Sequence, residues 1–470
     1  MWITLGAIVV LLLEATAVYF AYAAISRART PQGSIAWVIF LVSNAWLAVP
    51  AFLVFGHNRV RGYLIARRDS QEVIADIKHY AEQNRAHGSG GNFGFSAFEK
   101  VAELPVVSGN SMELLIDGQQ TFDAIFEAIN AAQDYILVQF YIFKDDDLGR
   151  EFARRLKAAR ARGVEVRLLY DAVGCVKLPK SYLEDLHNAG VEAVNAHALN
   201  GPRHRFEMNF RNHRKTVVVD GKTGFIGGLN VGDEYMGRDP YFGRWRDTHC
   251  RLRGPVVSQL QIVFAEDWHW ATNALPLPEL CWDTGREEEE MDALLVATGP
   301  GDELETGSIY FCACITRAQK RVWIASPYFV PDIDILTALK LAALRGVDVR
   351  ILVPEVIDHT MPWLAAFAYF DEVRTAGVKI YRYTDGFMHQ KVVLVDDNIA
   401  SVGTTNMDNR SCRLNFEATV VVFDRRAAED VERMLEDDFA HSYVLEKTLE
   451  EQPRRIRFGA PFARLMAPVL

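Results

Sequence analysis

This chain of 470 residues is poor in several things, and each shortage excludes a class of function. It has only six cysteines, at positions 175, 250, 281, 312, 314 and 412, with no C-x-x-C pair and no zinc spacing. A disulfide scaffold and a zinc site are thereby disfavoured, and the six read as reduced core thiols of a cytoplasmic catalytic part. Positive charge is short as well: the formal net charge is −10. No global basic field draws the molecule to nucleic acid, so any attraction to an anionic lipid is local. The phosphate-loop pattern G-x-x-x-x-G-K-[ST] is absent, which leaves the glycine-rich stretch Gly88–Gly94 as a flexible loop. No basic segment precedes the first apolar stretch, which counts against a cleaved signal peptide.

That apolar stretch is long. Residues 2–25 carry one charge, Glu14, and residues 35–55 carry none. A membrane-spanning helix needs roughly 20 such residues, so both stretches qualify, and the short segment between them predicts a transmembrane hairpin over residues 1–57. Glu14 reads either as a tolerated acid in an anchor or as a lipid or helix contact. Arg27 and Arg29 lie between the spans, whereas Arg59, Arg61, Arg67 and Arg68 follow them. The larger basic group beyond the spans places the remainder of the chain on the cytoplasmic side. Residues 58–105 read as a membrane-proximal linker.

The rest is organised around a motif that occurs twice. His213-Arg-Lys215 leads through four residues to Asp220, then to Gly227-Gly228-Leu-Asn230. His389-Gln-Lys391 leads with the same spacing to Asp396, then to Gly403-Thr404-Thr-Asn406. The run between Lys and Asp is aliphatic and β-branched in both copies, so it reads as a buried strand. Side chains alternate faces along a strand. His213 and Lys215 thus share a face that Asp220 does not, and His389, Lys391 and Asp396 repeat the arrangement. An imidazole beside an ammonium offers a nucleophile or proton carrier next to a cation suited to phosphate oxygen. Asn230 and Asn406 add amide donors for the same anion. Two facing units make a metal-free phosphoryl-transfer site, in which one histidine attacks phosphorus and the other protonates the leaving oxygen.

The repeat extends beyond the motif. Tyr135–Phe143 answers Val322–Val330, Arg162–Asp171 answers Arg345–Pro354, and Ala189–Glu192 answers Ala376–Lys379, each pair about 180 residues apart. The helices Leu148–Arg162 and Ile333–Arg345 end at Arg-Gly, where glycine can take a left-handed cap. Strands alternate with helices in each unit, which predicts an α/β class with helices on a mixed sheet. The expected domains are residues 106–282 and 294–470, joined by an acidic linker at 283–293.

The duplicated motif resembles the phospholipase D superfamily. Longer stretches resemble the bacterial cardiolipin synthases: Arg211–Lys215, Gly227–Tyr235, Trp245–His249, Ser326–Asp332 and Asn409–Glu417. The likeness covers nearly the whole chain, including the two N-terminal apolar segments. It implies two phospholipase D-like α/β domains in a pseudo-twofold arrangement, in an inner-membrane, multi-pass protein. Its catalytic set is His213, Lys215, Asp220, His389, Lys391 and Asp396. Within that set Asp220 and Asp396, facing away, read as structural, bonding neighbouring backbone. Lys215, Lys391, Asn230 and Asn406 hold the substrate phosphate. Another acid must then orient each ring, and superfamily enzymes place one at comparable positions; the expected pairs are Asp247 with His213 and Glu417 with His389.

The activity implied is transfer of a phosphatidyl group between two phosphatidylglycerol molecules, yielding cardiolipin and glycerol through a phosphohistidine. No cofactor and no metal are expected, since one phosphodiester replaces another. His213 is assigned as nucleophile and His389 as acid/base; pseudo-symmetry leaves the reverse open. The alternative acceptor is water, giving a phospholipase D-type phosphodiesterase; a nuclease is disfavoured by the acidic charge, and a non-enzymatic scaffold by two intact motifs. Phosphatidylethanolamine as the second lipid stays open. His204 and His249 read first as ordinary histidines, with a substrate contact as the alternative; His57, His79 and His87 read as solvent or interface residues. The tail Arg454–Leu470 mixes arginine with large apolar residues, and reads equally as a helix on the membrane surface or as one docked on the second domain.

Overall fold

The computed structural model describes residues 2–27, 31–56, 84–86, 95–196, 210–274, 280–302 and 304–470. The Gly88–Gly94 loop, most of the 58–105 linker, and His57, His79, His87 and His204 lie outside these residues. The chain divides into a unit of residues 1–65 with 199–210 and a unit of residues 66–198 with 211–470. Each is described separately.

In the first unit one helix, Trp2–Arg27, contains a stretch, Thr4–Ser26, long and apolar enough to cross a membrane. The second apolar stretch departs from the single span expected over 35–55. It forms two helices, Pro31–Ser43 and Ala45–Phe55. Asn44 divides them: its backbone leaves the helical region (φ −149°, ψ 72°), and its side chain accepts from Leu47 N at 3.2 Å as a new N-cap. Ala17, Ala21, Ala24, Leu41, Ala48, Val49 and Phe52 form the small shared core. Glu14 is exposed on the first helix.

The second unit is built on a mixed sheet of 16 strands. Its first half contributes β1 (Val107–Ile116), β2 (Tyr135–Phe140), β3 (Glu165–Tyr170), β4 (Glu192–Asn195), β5 (Arg211–Asn212), β6 (Thr216–Val219), β7 (Thr223–Gly227), β8 (Trp245–Arg246) and β9 (Thr248–Arg253). Its second half contributes β10 (Met291–Thr298), β11 (Arg321–Ala325), β12 (Phe329–Val330), β13 (Asp348–Pro354), β14 (Lys379–Tyr383), β15 (Phe387–Met388), β16 (Val392–Val395), β17 (Ile399–Gly403), β18 (Met407–Asp408), β19 (Asn415–Phe423) and β20 (Ser442–Val444). β8 pairs with β15 and β12 with β18 in separate two-stranded ladders.

The halves meet where β1 and β10 pair antiparallel. Outward from that seam the order is β1-β9-β7-β6-β2-β3-β4 on one side and β10-β19-β17-β16-β11-β13-β14 on the other, with β20 at the far edge. The two orders match strand for strand. Buried Asn110 closes the seam by donating to Met291 O (2.8 Å) and accepting from Val256 N (2.7 Å). β10 begins at Met291, inside the acidic segment assigned to a linker, because apolar Met291 and Ala293 find partners on β1.

Local rules account for the elements. The helices Asp147–Ala161 and Ile333–Leu344 end one residue before their capping arginines, and Gly163 and Gly346 follow at φ +95° and +89°. The motif strands β6 and β16 are buried throughout, as their unbroken aliphatic character requires.

Candidate active site

Each motif histidine follows a two-residue strand that pairs with the opposite half. β5 (Arg211–Asn212) lies parallel to Asn415–Phe416 at the start of β19, and His213 N donates to Phe416 O at 2.9 Å. β15 (Phe387–Met388) lies parallel to β8 (Trp245–Arg246), and His389 N donates to Arg246 O at 2.8 Å. One residue further on the partner strands stand Glu417 and Asp247. The pairing therefore brings each histidine to the other half's acid.

The side chains follow. His213 Nδ1 lies 2.8 Å from Glu417 Oε2, and His389 Nδ1 lies 2.9 Å from Asp247 Oδ2. This corrects the same-half pairs expected from sequence; the bridging strands, not sequence order, decide which acid meets which ring. Glu417 is held ionised and only accepts, so Nδ1 carries the proton of the His213 ring and Nε2 keeps its lone pair.

Both acids are fully buried and differently held. Glu417 accepts from Thr404 Oγ1 (2.6 Å) as well as from His213, and its Oε1 accepts from Asn415 Nδ2 (3.1 Å). Asp247 accepts from Thr248 N (2.8 Å) and Trp245 Nε1 (3.3 Å). Gly228 occupies the motif position that Thr404 fills in the second copy. A Cβ on Gly228 would stand 2.0 Å from Asp247 Oδ1. The shorter acid is thus matched to a glycine, and the longer one to a hydroxyl donor.

Lys215 and Lys391 are buried in the same site. Lys215 Nζ donates to the His213 carbonyl (2.6 Å) and sits 5.7 Å from the Tyr141 ring centre. Lys391 Nζ donates to the His389 carbonyl and lies against the ring, 2.9 Å from Nδ1 and 3.1 Å from Nε2. Loss of water pushes the Lys215 ammonium down to about 7 and Lys391 down to about 8, with the buried acids opposing the shift. Burial also lowers both histidines, His389 the further, and the charge of each half's lysine reaches the other half's histidine. Burial raises the Asp247 carboxyl. It works the same way on Glu417, but His213, Lys215 and Thr404 more than reverse it and hold that carboxyl below its ordinary value.

The remaining predicted residues divide. Asn230 is buried; its Oδ1 accepts from Ile142 N (3.1 Å) and its Nδ2 donates to Tyr235 Oη (3.0 Å). Asn406 is buried, and among the described residues its Oδ1 has no partner. Asp220 and Asp396, included in the catalytic set through the family likeness, stand away from the histidines. Each sits at a left-handed φ, +52° and +50°. Asp220 accepts from the backbone N–H groups of Gln133, Asp134 and Tyr135, and Asp396 from those of Gln319, Lys320 and Arg321. They tie the end of each motif strand to the start of its neighbour, which is structural work. His249 is buried, with Nδ1 3.4 Å from Leu229 N, and burial pushes it down to about 3; it is a neutral packing residue.

Other residues of the site escaped the sequence reading. Tyr141 packs edge-on to His213 with ring centres 5.1 Å apart, and Trp245 lies against His389 at 5.3 Å. Buried ion pairs brace the motifs from behind. Arg214 Nη1 meets Asp267 at 2.7 Å, and Arg246 grips Asp438 through two bonds of 2.7 and 2.8 Å. The H-x-K alternation was a signal for Arg214, which must point away from its neighbours. The described residues also hold one carboxylate group, Glu305, Asp332 and Asp334, whose ligand atoms lie within 4.8 Å of one another. Arg413 forms ion pairs with Glu305 and Asp332.

The family described as "Cardiolipin synthase, PLD-like domain" matches residues 125–268 and 311–439. The chain is 45% identical over 455 residues to cardiolipin synthase A of Pseudomonas fluorescens, covering 95% of each chain. It is 46% identical to cardiolipin synthase A of Pseudomonas aeruginosa, covering 95% of this chain and 92% of that one. Among solved structures, phosphatidylserine synthase of Haemophilus influenzae is similar in fold, with a TM-score of 0.61 at 17% identity over 80% of this chain and 99% of that one.

Proposed function

This chain belongs to the cardiolipin synthase family of phospholipase D-like phosphatidyltransferases, and we propose how its residues perform the transfer. The reading makes two phosphatidylglycerol molecules the substrates. One observation carries it: two histidines, each held by the opposite half's carboxylate, share a buried site with two lysines.

In the first step His213 Nε2 attacks the phosphorus of one phosphatidylglycerol. A P–N bond forms and the bond from phosphorus to the glycerol oxygen breaks. Lys215 reaches a carbonyl, leaving this Nε2 lone pair to the substrate, whereas Lys391 also lies against both ring nitrogens of His389. That asymmetry supports His213 as nucleophile and His389 as proton carrier. The bound phosphodiester favours the imidazolium form of His389, which gives its proton to departing glycerol. In the second step His389 takes the proton from the glycerol hydroxyl of the second phosphatidylglycerol, whose oxygen attacks phosphorus as the P–N bond breaks. The products are cardiolipin and free His213. Lys215 and Lys391 hold the phosphate oxygens throughout, with Asn230 and Asn406 as amide partners. Glu417 and Asp247 fix tautomer and ring orientation.

The matching strand orders and crossed acids support a pseudo-twofold relation between domains 106–282 and 294–470. The helix Trp2–Arg27 and the pair Pro31–Ser43 and Ala45–Phe55 are read as a membrane hairpin, with Asn44 breaking its return limb. The arginine bias beyond it supports a cytoplasmic catalytic unit. The test is incubation of the protein with labelled phosphatidylglycerol and separation of the products. Cardiolipin and glycerol in equal amounts are expected; phosphatidic acid in place of cardiolipin would overturn the reading in favour of a hydrolase.

A further inference from the structure

Of the two sequence readings of the C-terminal segment, the structure shows the docked helix. The helix Arg454–Leu465 buries Ile456, Ala460 and Ala463 against the helix Thr360–Arg374. Gly459 allows the close approach, since a Cβ there would stand 2.8 Å from Leu364 Cδ2. Glu372 of the underlying helix ties the layer together, bonding Lys340 at 2.8 Å and Arg464 at 3.2 Å. The docked face is therefore satisfied. The opposite face is not: Phe458, Phe462 and Leu465 are 63%, 73% and 75% exposed, and Met466 follows them. These recur at helical spacing as one apolar stripe. Residues 454–470 carry Arg454, Arg455, Arg457 and Arg464 and no acidic side chain, in a protein of net charge −10.

We propose that this helix is a monotopic membrane contact that seats the catalytic unit on an anionic phospholipid surface. Phe458, Phe462, Leu465 and Met466 enter the boundary between headgroups and acyl chains, and Arg454, Arg455 and Arg457 meet lipid phosphates. Charge selects the occupant. A second copy docking face to face would set Arg454, Arg455 and Arg457 against their own counterparts, which like-charge repulsion opposes; an anionic bilayer complements them. The chain end connects this surface to the active site. Arg410 N donates to Leu470 O at 2.7 Å, and Arg410 Nη1 donates to Val469 O at 3.3 Å. Arg410 belongs to the short helix Asn409–Arg413, which runs directly into β19 and Glu417. A lipid surface at the helix thus lies along the chain path to the site that consumes the lipid; this rests on the phosphatidylglycerol reading.

Two measurements on the full-length protein in vesicles of phosphatidylglycerol and phosphatidylcholine test it. A photoreactive phenylalanine analogue at position 462 is expected to crosslink to lipid. Crosslinks to a second copy or another protein, or none, would overturn the proposal whether or not the enzyme turns over. The exposed pair Phe458→Ser and Phe462→Ser is expected to lower turnover on vesicles about tenfold while leaving turnover on detergent-dispersed short-chain phosphatidylglycerol unchanged. Unchanged vesicle turnover, or equal loss in both, would overturn it. Arg455→Glu with Arg457→Glu, which spares the stripe, is expected to weaken vesicle turnover in the same selective way, and parental-level vesicle turnover counts against it. Failure of the parent to make cardiolipin in detergent refutes the substrate reading instead, with the crosslink still deciding the membrane contact.

Discussion

His213 and Glu417 are 204 residues apart in sequence and 2.8 Å apart in space. His389 and Asp247 repeat the relationship in the opposite direction. Neither half of the chain therefore contains a complete histidine–carboxylate pair of its own. The two-residue strands β5 and β15 enforce the exchange, so the site exists only when both halves are folded together.

Replacing Glu417 by Gln, or Asp247 by Asn, keeps the shape but lets the side-chain amide donate, which favours the wrong tautomer of the facing ring. Turnover is expected to fall roughly 10³-fold or more. The diagnostic readout is coupling. Glu417→Gln added to His213→Ala should cost almost nothing further, because the acid acts through that ring. The conservative Glu417→Asp should recover part of the loss. If Glu417→Gln instead compounded with His213→Ala as an independent factor, the crossed pairing would not be how the acid acts.

Gly228→Ala tests the fit around Asp247. The new methyl would stand 2.0 Å from Oδ1, so the carboxylate must move away from His389. Transfer is expected to drop at least tenfold, with the His389 ring losing its hold. Thr404→Val, at the matching position, removes the hydroxyl donor to Glu417 and should cost less, because His213 and Asn415 still donate to that carboxylate. Comparable turnover in the parent and Gly228→Ala enzymes would show that Asp247 does not need this space.

The pH dependence follows from burial. His213, the nucleophile, is held below its ordinary value, so it stays neutral down to pH below 6.5 and the acid limb lies there. Lys215 and Lys391 are pushed down to about 7 and about 8, so in the empty enzyme rising pH discharges them well below the usual 10.5. In the proposed mechanism charged lysine binds the phosphodiester, so kcat/KM is expected to fall as pH rises through 7 to 8. Bound phosphate raises both lysines again, so the alkaline limb of kcat should lie at higher pH than that of kcat/KM. For stability the sign is opposite. Between the folded and unfolded lysine values the unfolded chain holds more protons, so these two groups make folding more favourable as pH rises from about 7 toward 10.5. Rates on dispersed phosphatidylglycerol from pH 5 to 10 check the activity limbs; a kcat/KM that stays flat to pH 10 would contradict buried, discharging lysines.

Much of this was readable from the chain because it is local. Alternation along a strand separated His213 and Lys215 from Asp220, and the structure shows Asp220 holding three backbone N–H groups elsewhere. Arg-Gly marked two helix ends, and repeated stretches foretold matching halves. The acid partners were not readable. Their choice depends on β5 and β15, two residues each, whose pairing no propensity signals. The break at Asn44 was hidden by an apolar run that hydropathy treats as uniform. The start of β10 at Met291 was hidden by the four glutamates before it, which end where the pairing with β1 begins.

Removing residues 1–57 separates anchoring from chemistry. Every residue of the crossed pairs and both lysines belong to the unit of residues 66–198 and 211–470, which has its own continuous sheet and core. The truncated protein is expected to fold and to retain most of its turnover on short-chain phosphatidylglycerol in detergent. On vesicles it should lose far more, because tethering raises the effective concentration of enzyme at the lipid surface. Some vesicle turnover should survive in proportion to how much phosphatidylglycerol the vesicles contain, since Arg454–Leu465 remains. Adding Phe458→Ser and Phe462→Ser to the truncation should then remove that remainder. The comparison is turnover of both truncated forms on micelles and on vesicles, with circular dichroism confirming the fold. If micelle turnover collapses along with vesicle turnover in a folded protein, the N-terminal segment completes the active site, and a tether is the wrong description.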